Sequence, residues 1–111
     1  MTRVVLAGAS GRTGTPVAAS IAATDDLSLV ARVAPSLAGA GPDCYGSLAE
    51  ALAAVPADVF VDLTRPELGE EHALAALAHG LAVVLGTTGL DDAARERLDG
   101  AARTAELPVF Y

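Results

Sequence analysis

Residues 4–22 read VVLAGASGRTGTPVAASIA, and the order of residue types in them decides the fold. Val4 to Ala7 form a continuous apolar run of strand length. Gly8, Gly11 and Gly14 follow at intervals of three, and an alanine-rich stretch of helical character begins at once. A strand without polar alternation is buried on both faces, as in a parallel sheet covered by helices. A turn that passes directly from such a strand into a helix needs glycine where the chain bends tightly and where helix and strand pack closely.

Outward from this unit, the same alternation continues. Strands are expected at Arg3–Ala7, Leu27–Val33, Val59–Leu63 and Ala82–Leu85, with another starting at Val109–Tyr111. Between them, Ser47-Leu-Ala-Glu50 and Thr64-Arg-Pro-Glu67 have the form of capping boxes at helix starts. Pro66 suits a first helical turn, where its missing amide proton costs little. Gly80 is placed as a left-handed helix stop, and Asp91 and Asp92 complement the dipole of the last helix. Residues 34–46 are the one stretch that reads as loop. Together these signals predict a single α/β domain over 1–111: a doubly wound, Rossmann-like parallel sheet with helices on both faces.

Composition narrows the function. The 111 residues carry a formal net charge of −7, and all seven basic residues are arginine. No basic patch is present, so no nucleic-acid partner is expected. The lack of lysine excludes Schiff-base chemistry by this chain. A lone cysteine, Cys44, has no partner for a disulfide and no metal-ligand pattern around it, and reads as a bystander thiol in a loop. No apolar run approaches the roughly 18 residues of a membrane span, and no signal peptide is evident. A cytoplasmic protein that does not enter a membrane is the expectation.

The two glycine turns carry the chemistry. After the first strand, Gly8 allows the bend, Gly11 lets backbone amides approach a ligand, and Gly14 brings the helix close. The amides opening that helix then suit a pyrophosphate. The second turn, Gly86-Thr87-Thr88-Gly89, closes the fourth strand. In open α/β sheets, ligands lie beyond the carboxyl ends of the strands. Thr64, after the third strand, falls at the same edge, where threonine hydroxyls and loop amides suit a ribose or a carboxamide. The acid that commonly meets the ribose 2′-hydroxyl is absent: the second strand ends Val33-Ala34-Pro35-Ser36. Arg12, and Arg32 beside it in this reading, suit a 2′-phosphate instead.

The stretches VLAGASGRTG, VDLTRPE and VVLGTTGLDDAARERL, in this order and spacing, resemble the N-terminal domain of dihydrodipicolinate reductase, also called 4-hydroxy-tetrahydrodipicolinate reductase. The resemblance spans essentially the whole chain. It implies that Gly8, Ala9, Ser10, Gly11, Arg12 and Thr13 hold the pyrophosphate of NADPH or NADH, and that Gly86, Thr87 and Thr88 contact the nicotinamide half. It further implies hydride transfer on the route to lysine and diaminopimelate. Homo-oligomers are implied as well, with assembly contacts largely in a second domain. That domain carries the family's catalytic residues beyond an Ala-Pro-Asn-Phe turn, so this chain is expected to contribute no catalytic residue and to meet a small-molecule substrate only with that domain. Thr13, Leu63 and Ala34 depart from the Met, Phe and acid common in the family.

The remaining candidates read as structural. Asp62 is expected to accept from a loop or helix amide rather than to perform acid–base work. His72 and His79, seven apart on one helix, share a face without the spacing of metal ligands, and His79 suits the helix C-terminus. Glu70 and Glu71 read as a solvated face. Two other functions fit the first turn: an atypical short-chain reductase, and a non-catalytic dinucleotide-binding module. An acyl-CoA-binding domain fits the fold alone.

Overall fold

The computed structural model describes residues 1–86 and 89–111, so Thr87 and Thr88 of the second turn lie outside the described residues. In chain order the elements are β1 (Thr2–Ala7), α1 (Gly14–Ala22), β2 (Leu27–Val33), β3 (Cys44–Tyr45), α2 (Leu48–Ala54), β4 (Val59–Asp62), α3 (Pro66–Ala78), β5 (Ala82–Leu85), α4 (Asp92–Ala105) and β6 (Val109–Phe110). The described strands form one sheet in the order β3-β2-β1-β4-β5-β6, and every pairing is parallel. None of the described helices is long and apolar enough to cross a membrane.

The strand order dictates which helix covers which face. From β1 the chain steps outward to β2 and β3, then crosses back past β1 to β4 and continues the other way. With one handedness of crossover, the two directions put their helices on opposite faces. Val4 and Leu6 of β1 accordingly pack with Ala18 and Ile21 of α1. Val5 and Ala7 point the other way, into a larger core with α2, α3 and α4, centred on Phe60, Val83 and Leu98. Among the described residues, one helix thus covers one face and three cover the other. On the α1 face no described helix reaches β6, where Phe110 remains 60% exposed.

Several local signals act as the sequence predicts. Ser47 caps α2 by accepting the Glu50 amide at 3.3 Å, Pro66 opens α3, and Gly80 adopts φ +83° after it. Asp92 lies in the first turn of α4, while Asp91 stands just before it and caps the helix by accepting the Ala94 amide at 2.8 Å. Three expectations are corrected. The segment 34–46 is not all loop: a 3₁₀ turn spans Pro35–Leu37, and β3 adds an edge strand through Arg32 N–H to Asp43 O (2.7 Å) and Ala34 N–H to Tyr45 O (3.1 Å). Two residues are too short to show periodicity, which is why β3 left no signal. Cys44 therefore lies in a half-buried strand rather than a loop. The Thr64 capping box does not form, because α3 starts from Arg65 with no side-chain cap and the Thr64 hydroxyl is turned back to Asp62.

Gly14 and Gly100 make opposite use of having no side chain. A Cβ on Gly14 would overlap the carbonyl of Gly8, so the start of α1 sits directly on the turn before it. At Gly100, inside α4, a Cβ would meet only the end of Arg103 at 3.9 Å. Gly14→Ala should therefore destabilise the fold by at least ~2 kcal/mol. Gly100→Ala should stabilise it by about 0.5–1 kcal/mol. Thermal unfolding of the two variants should move in opposite directions from the parent chain.

Candidate functional site

The parallel ladder runs one residue past the end of each central strand. Gly8 N–H donates to Val33 O (2.9 Å), Leu63 N–H to Ala7 O (3.0 Å), and Gly86 N–H to Asp62 O (2.9 Å). These bonds line up the turns after β2, β1, β4 and β5 along one edge, across the position between β1 and β4 where the strand order reverses. Such a switch point opens a crevice at the carboxyl ends of the strands.

Leu63 forms the wall shared by the two glycine turns. A Cβ on Gly8, whose φ is +80°, would come within 2.9 Å of the Leu63 carbonyl carbon and oxygen. On the other side, a Cβ on Gly86 would overlap the Leu63 side chain. Gly11 differs: its nearest neighbour to a Cβ would be Gly8 O at 3.5 Å, an ordinary contact. Among the described residues a Cβ at Gly11 is accommodated without overlap.

Within the first turn, Gly11 N–H donates to Gly8 O (3.2 Å) and Thr15 N–H to Gly11 O (3.0 Å). The amides of Ser10, Arg12, Thr13 and Gly14 have no acceptor among the described residues. Ser10, Gly11, Arg12 and Thr13 are exposed, whereas Ala9 is buried under them. Exposed amides at the positive end of a helix, beside a glycine that leaves their approach clear, fit an anionic group. Ser36, in the 3₁₀ turn after β2, donates its hydroxyl to that of Ser10 at 3.1 Å. This contact ties the end of β2 to the first turn, and spacing alone did not reveal it. Ala34, at the position of the missing acid, is buried.

Asp62 occupies the centre of the edge and is the only buried charged side chain among the described residues. Its Oδ1 accepts from the Thr64 amide at 2.8 Å and from the Thr64 hydroxyl. Its Oδ2 lies 3.3 Å from His72 Nδ1 on α3. Burial alone would raise the Asp62 pKa, but the bonds from His72 and Thr64 outweigh it and hold the carboxyl below its ordinary range. As an acceptor-only group, the carboxylate assigns the Nδ1 proton to His72. The expectation that Asp62 serves a loop amide is met; the part taken by His72 was hidden in the ten-residue separation. His72 and His79 do share a side of α3, both facing a hollow toward α2, and His79 Nδ1 sits 3.0 Å from Ala75 O in the last turn.

A hollow of about 160 Å³ opens beside this cluster, walled by Ala7, Val33, Ala34, Pro35, Thr64 and His72 among others. A larger hollow of about 540 Å³ lies between the C-terminal halves of α3 and α4, lined by Leu74, Leu77, Ala101 and Leu107. It sits at the opposite end of the sheet, ahead of β5, and includes none of the motif residues.

A family model described as "Dihydrodipicolinate reductase, N-terminus" matches residues 2–111. The chain belongs to this family. It is 34% identical over 116 aligned residues to the 4-hydroxy-tetrahydrodipicolinate reductase of Geobacillus thermodenitrificans, covering 95% of this chain and 44% of that protein. The chain therefore spans less than half the length of this relative. Its fold matches the dipicolinate-bound dihydrodipicolinate reductase of Paenisporosarcina sp. TG-14 with a TM-score of 0.89 at 25% identity, over 98% of this chain and 46% of that one. The WlbA dehydrogenase of Bordetella pertussis, solved with NADH and UDP-GlcNAcA, matches with a TM-score of 0.83 at 25% identity, over 96% and 35% of the two chains. The family match decides for the dihydrodipicolinate reductase resemblance over the short-chain reductase alternative.

The lowered pKa of Asp62 has a pH consequence of definite sign. Its stabilising contribution is complete above the ordinary carboxylate pKa of about 4 and is lost as pH falls through the lower folded-state value. Urea unfolding of this family domain should show stability declining as pH falls below about 4, and Asp62→Asn should flatten part of that decline while lowering stability at neutral pH. An unchanged acid slope in the variant would show that the carboxylate is not set low by the fold.

Proposed function

We propose that this chain is the nicotinamide-dinucleotide-holding domain, residues 1–111, of a 4-hydroxy-tetrahydrodipicolinate reductase acting in lysine and diaminopimelate biosynthesis. The observation that carries the reading is the first turn: exposed, unpartnered amides at the start of α1 beneath a glycine whose Cβ position is open. Gly8, Ala9, Ser10, Gly11, Arg12 and Thr13 receive the pyrophosphate there. Thr64, Gly86, Thr87 and Thr88 take the ribose and carboxamide. The bound cofactor supplies the hydride. The chain positions it by anchoring the phosphates at the helix start and by fixing the spacing between the two turns through the ladder bonds.

Both NADPH and NADH fit this edge. No carboxylate stands at the end of β2, where Ala34 and Ser36 replace the usual acid, so a 2′-phosphate meets no repulsion. Arg12 is exposed within the turn and makes no ion pair among the described residues, leaving its guanidinium available to that phosphate. The reading assigns recognition of the cyclic substrate, proton donation and the contacts of a homo-oligomer to the rest of the family's length, and places the protein in the cytoplasm.

Calorimetric titration with NADPH and with NADH tests the reading. Saturable binding of at least one is expected, with NADPH binding no more weakly than NADH. Gly11→Val should keep the melting temperature close to the parent value, because a Cβ there meets only an ordinary contact with Gly8 O, yet should weaken binding by at least about 10-fold, or ~1.4 kcal/mol. A Gly11→Val chain that binds as well as the parent would remove the first turn from the site.

A further inference from the structure

The carboxylate of Asp62 lies beneath the proposed site without facing it, and both of its oxygens are committed. Oδ1 holds the amide and the hydroxyl of Thr64, two residues on, closing a side-chain turn of the kind aspartate forms with the backbone that follows it. Oδ2 is held by His72 from α3, so the carboxylate cannot rotate away from Thr64 without losing that partner. Because the carboxylate only accepts, the Thr64 hydroxyl must be the donor in their contact. Its one proton is spent, and what remains toward the edge is lone pairs.

We infer that Asp62, held by His72, is a positioning residue that turns the Thr64 hydroxyl into a hydrogen-bond acceptor, so that this threonine receives a ligand group that donates, a ribose hydroxyl in particular, and does not serve the phosphates. The inference rests on the dinucleotide reading above and adds to it the polarity of one subsite. A phosphate oxygen offers only acceptors and has nothing to give a hydroxyl whose proton is already placed, whereas every ribose hydroxyl can donate. The division matches the edge as a whole. Amides at the start of α1 provide donors for the anionic part of the ligand, and Thr64, whose own amide lies beside Gly8, provides the acceptor for a sugar. It also accounts for a buried charge that the packing alone would not favour, since an apolar side chain of similar size is cheaper to bury than a carboxylate with three donors arranged around it.

The test is a double-mutant cycle on NADH and NADPH affinity of the chain, using Thr64→Val, Thr64→Ser, Asp62→Asn and the Asp62→Asn/Thr64→Val pair, with melting temperatures measured in parallel. Thr64→Ser should stay within about 2-fold of the parent Kd and Thr64→Val should weaken binding about 5- to 20-fold, the range of one lost hydrogen bond. Asp62→Asn should weaken binding severalfold when Thr64 is present and add little when the hydroxyl is already gone. That non-additivity is what a residue acting through Thr64 produces and a general loss of stability does not. Binding by Thr64→Val equal to the parent overturns the inference and leaves the dinucleotide reading standing. Equal losses from Asp62→Asn in both backgrounds overturn it too. A parent chain that binds neither dinucleotide overturns both. Should the Asp62 variants fail to fold, the contrast between Thr64→Ser and Thr64→Val still decides whether the hydroxyl is used.

Discussion

Three backbone hydrogen bonds beyond the strand ends, from Gly8 to Val33, from Leu63 to Ala7 and from Gly86 to Asp62, set the geometry on which the rest of this edge depends. Neighbouring parallel strands lie only about 4.8 Å apart, so extending the ladder by one residue forces the turns that follow to leave the sheet side by side. Little space remains between them. Gly8 and Gly86 are glycine because Leu63 fills that space from either side, and Gly14 because the first helix must start on top of the turn it follows. Gly11 is the exception in a motif of look-alike residues. No described residue would overlap a Cβ there, so its lack of one fits an approach by something outside the chain.

The sheet's asymmetry follows from the same topology. Stepping out one way and back the other puts α1 alone against Val4 and Leu6, and α2, α3 and α4 against Val5, Ala7 and Phe60. The helices meet the sheet partly through alanine, as at Ala18, Ala51, Ala73 and Ala76. Small residues bring helix axes close, and that closeness delivers His72 of α3 to within reach of Asp62 at the end of β4. A carboxylate in such a place carries a desolvation cost that its three donors offset. In return, the end of β4, the loop after it and α3 are joined through a single side chain.

Much of this was legible in the residues. Apolar runs marked the central strands because burial on both faces leaves no polar alternation to obscure them. Ser47, Pro66, Gly80 and Asp91 marked helix ends because caps act on residues only a few positions away. The same logic failed at Thr64. Its spacing to Glu67 is that of a capping box, but its hydroxyl has a stronger acceptor in the Asp62 carboxylate, a charge-assisted partner already ordered by burial. β3 escaped notice because a two-residue edge strand is defined by its neighbour β2 and not by any pattern of its own.

The sequence by itself determined the order and type of the main elements, the parallel α/β class and the two turns that matter, since each of these rests on interactions between residues close along the chain. Tertiary structure alone decided what those turns face. Leu63 as their common wall, Ser36 reaching Ser10, and His72 and Thr64 meeting on Asp62 all join residues that no local rule connects. Which strands lie adjacent is settled by how the whole set of apolar faces can be buried at once, and only then does a side chain acquire the partners that give it a role.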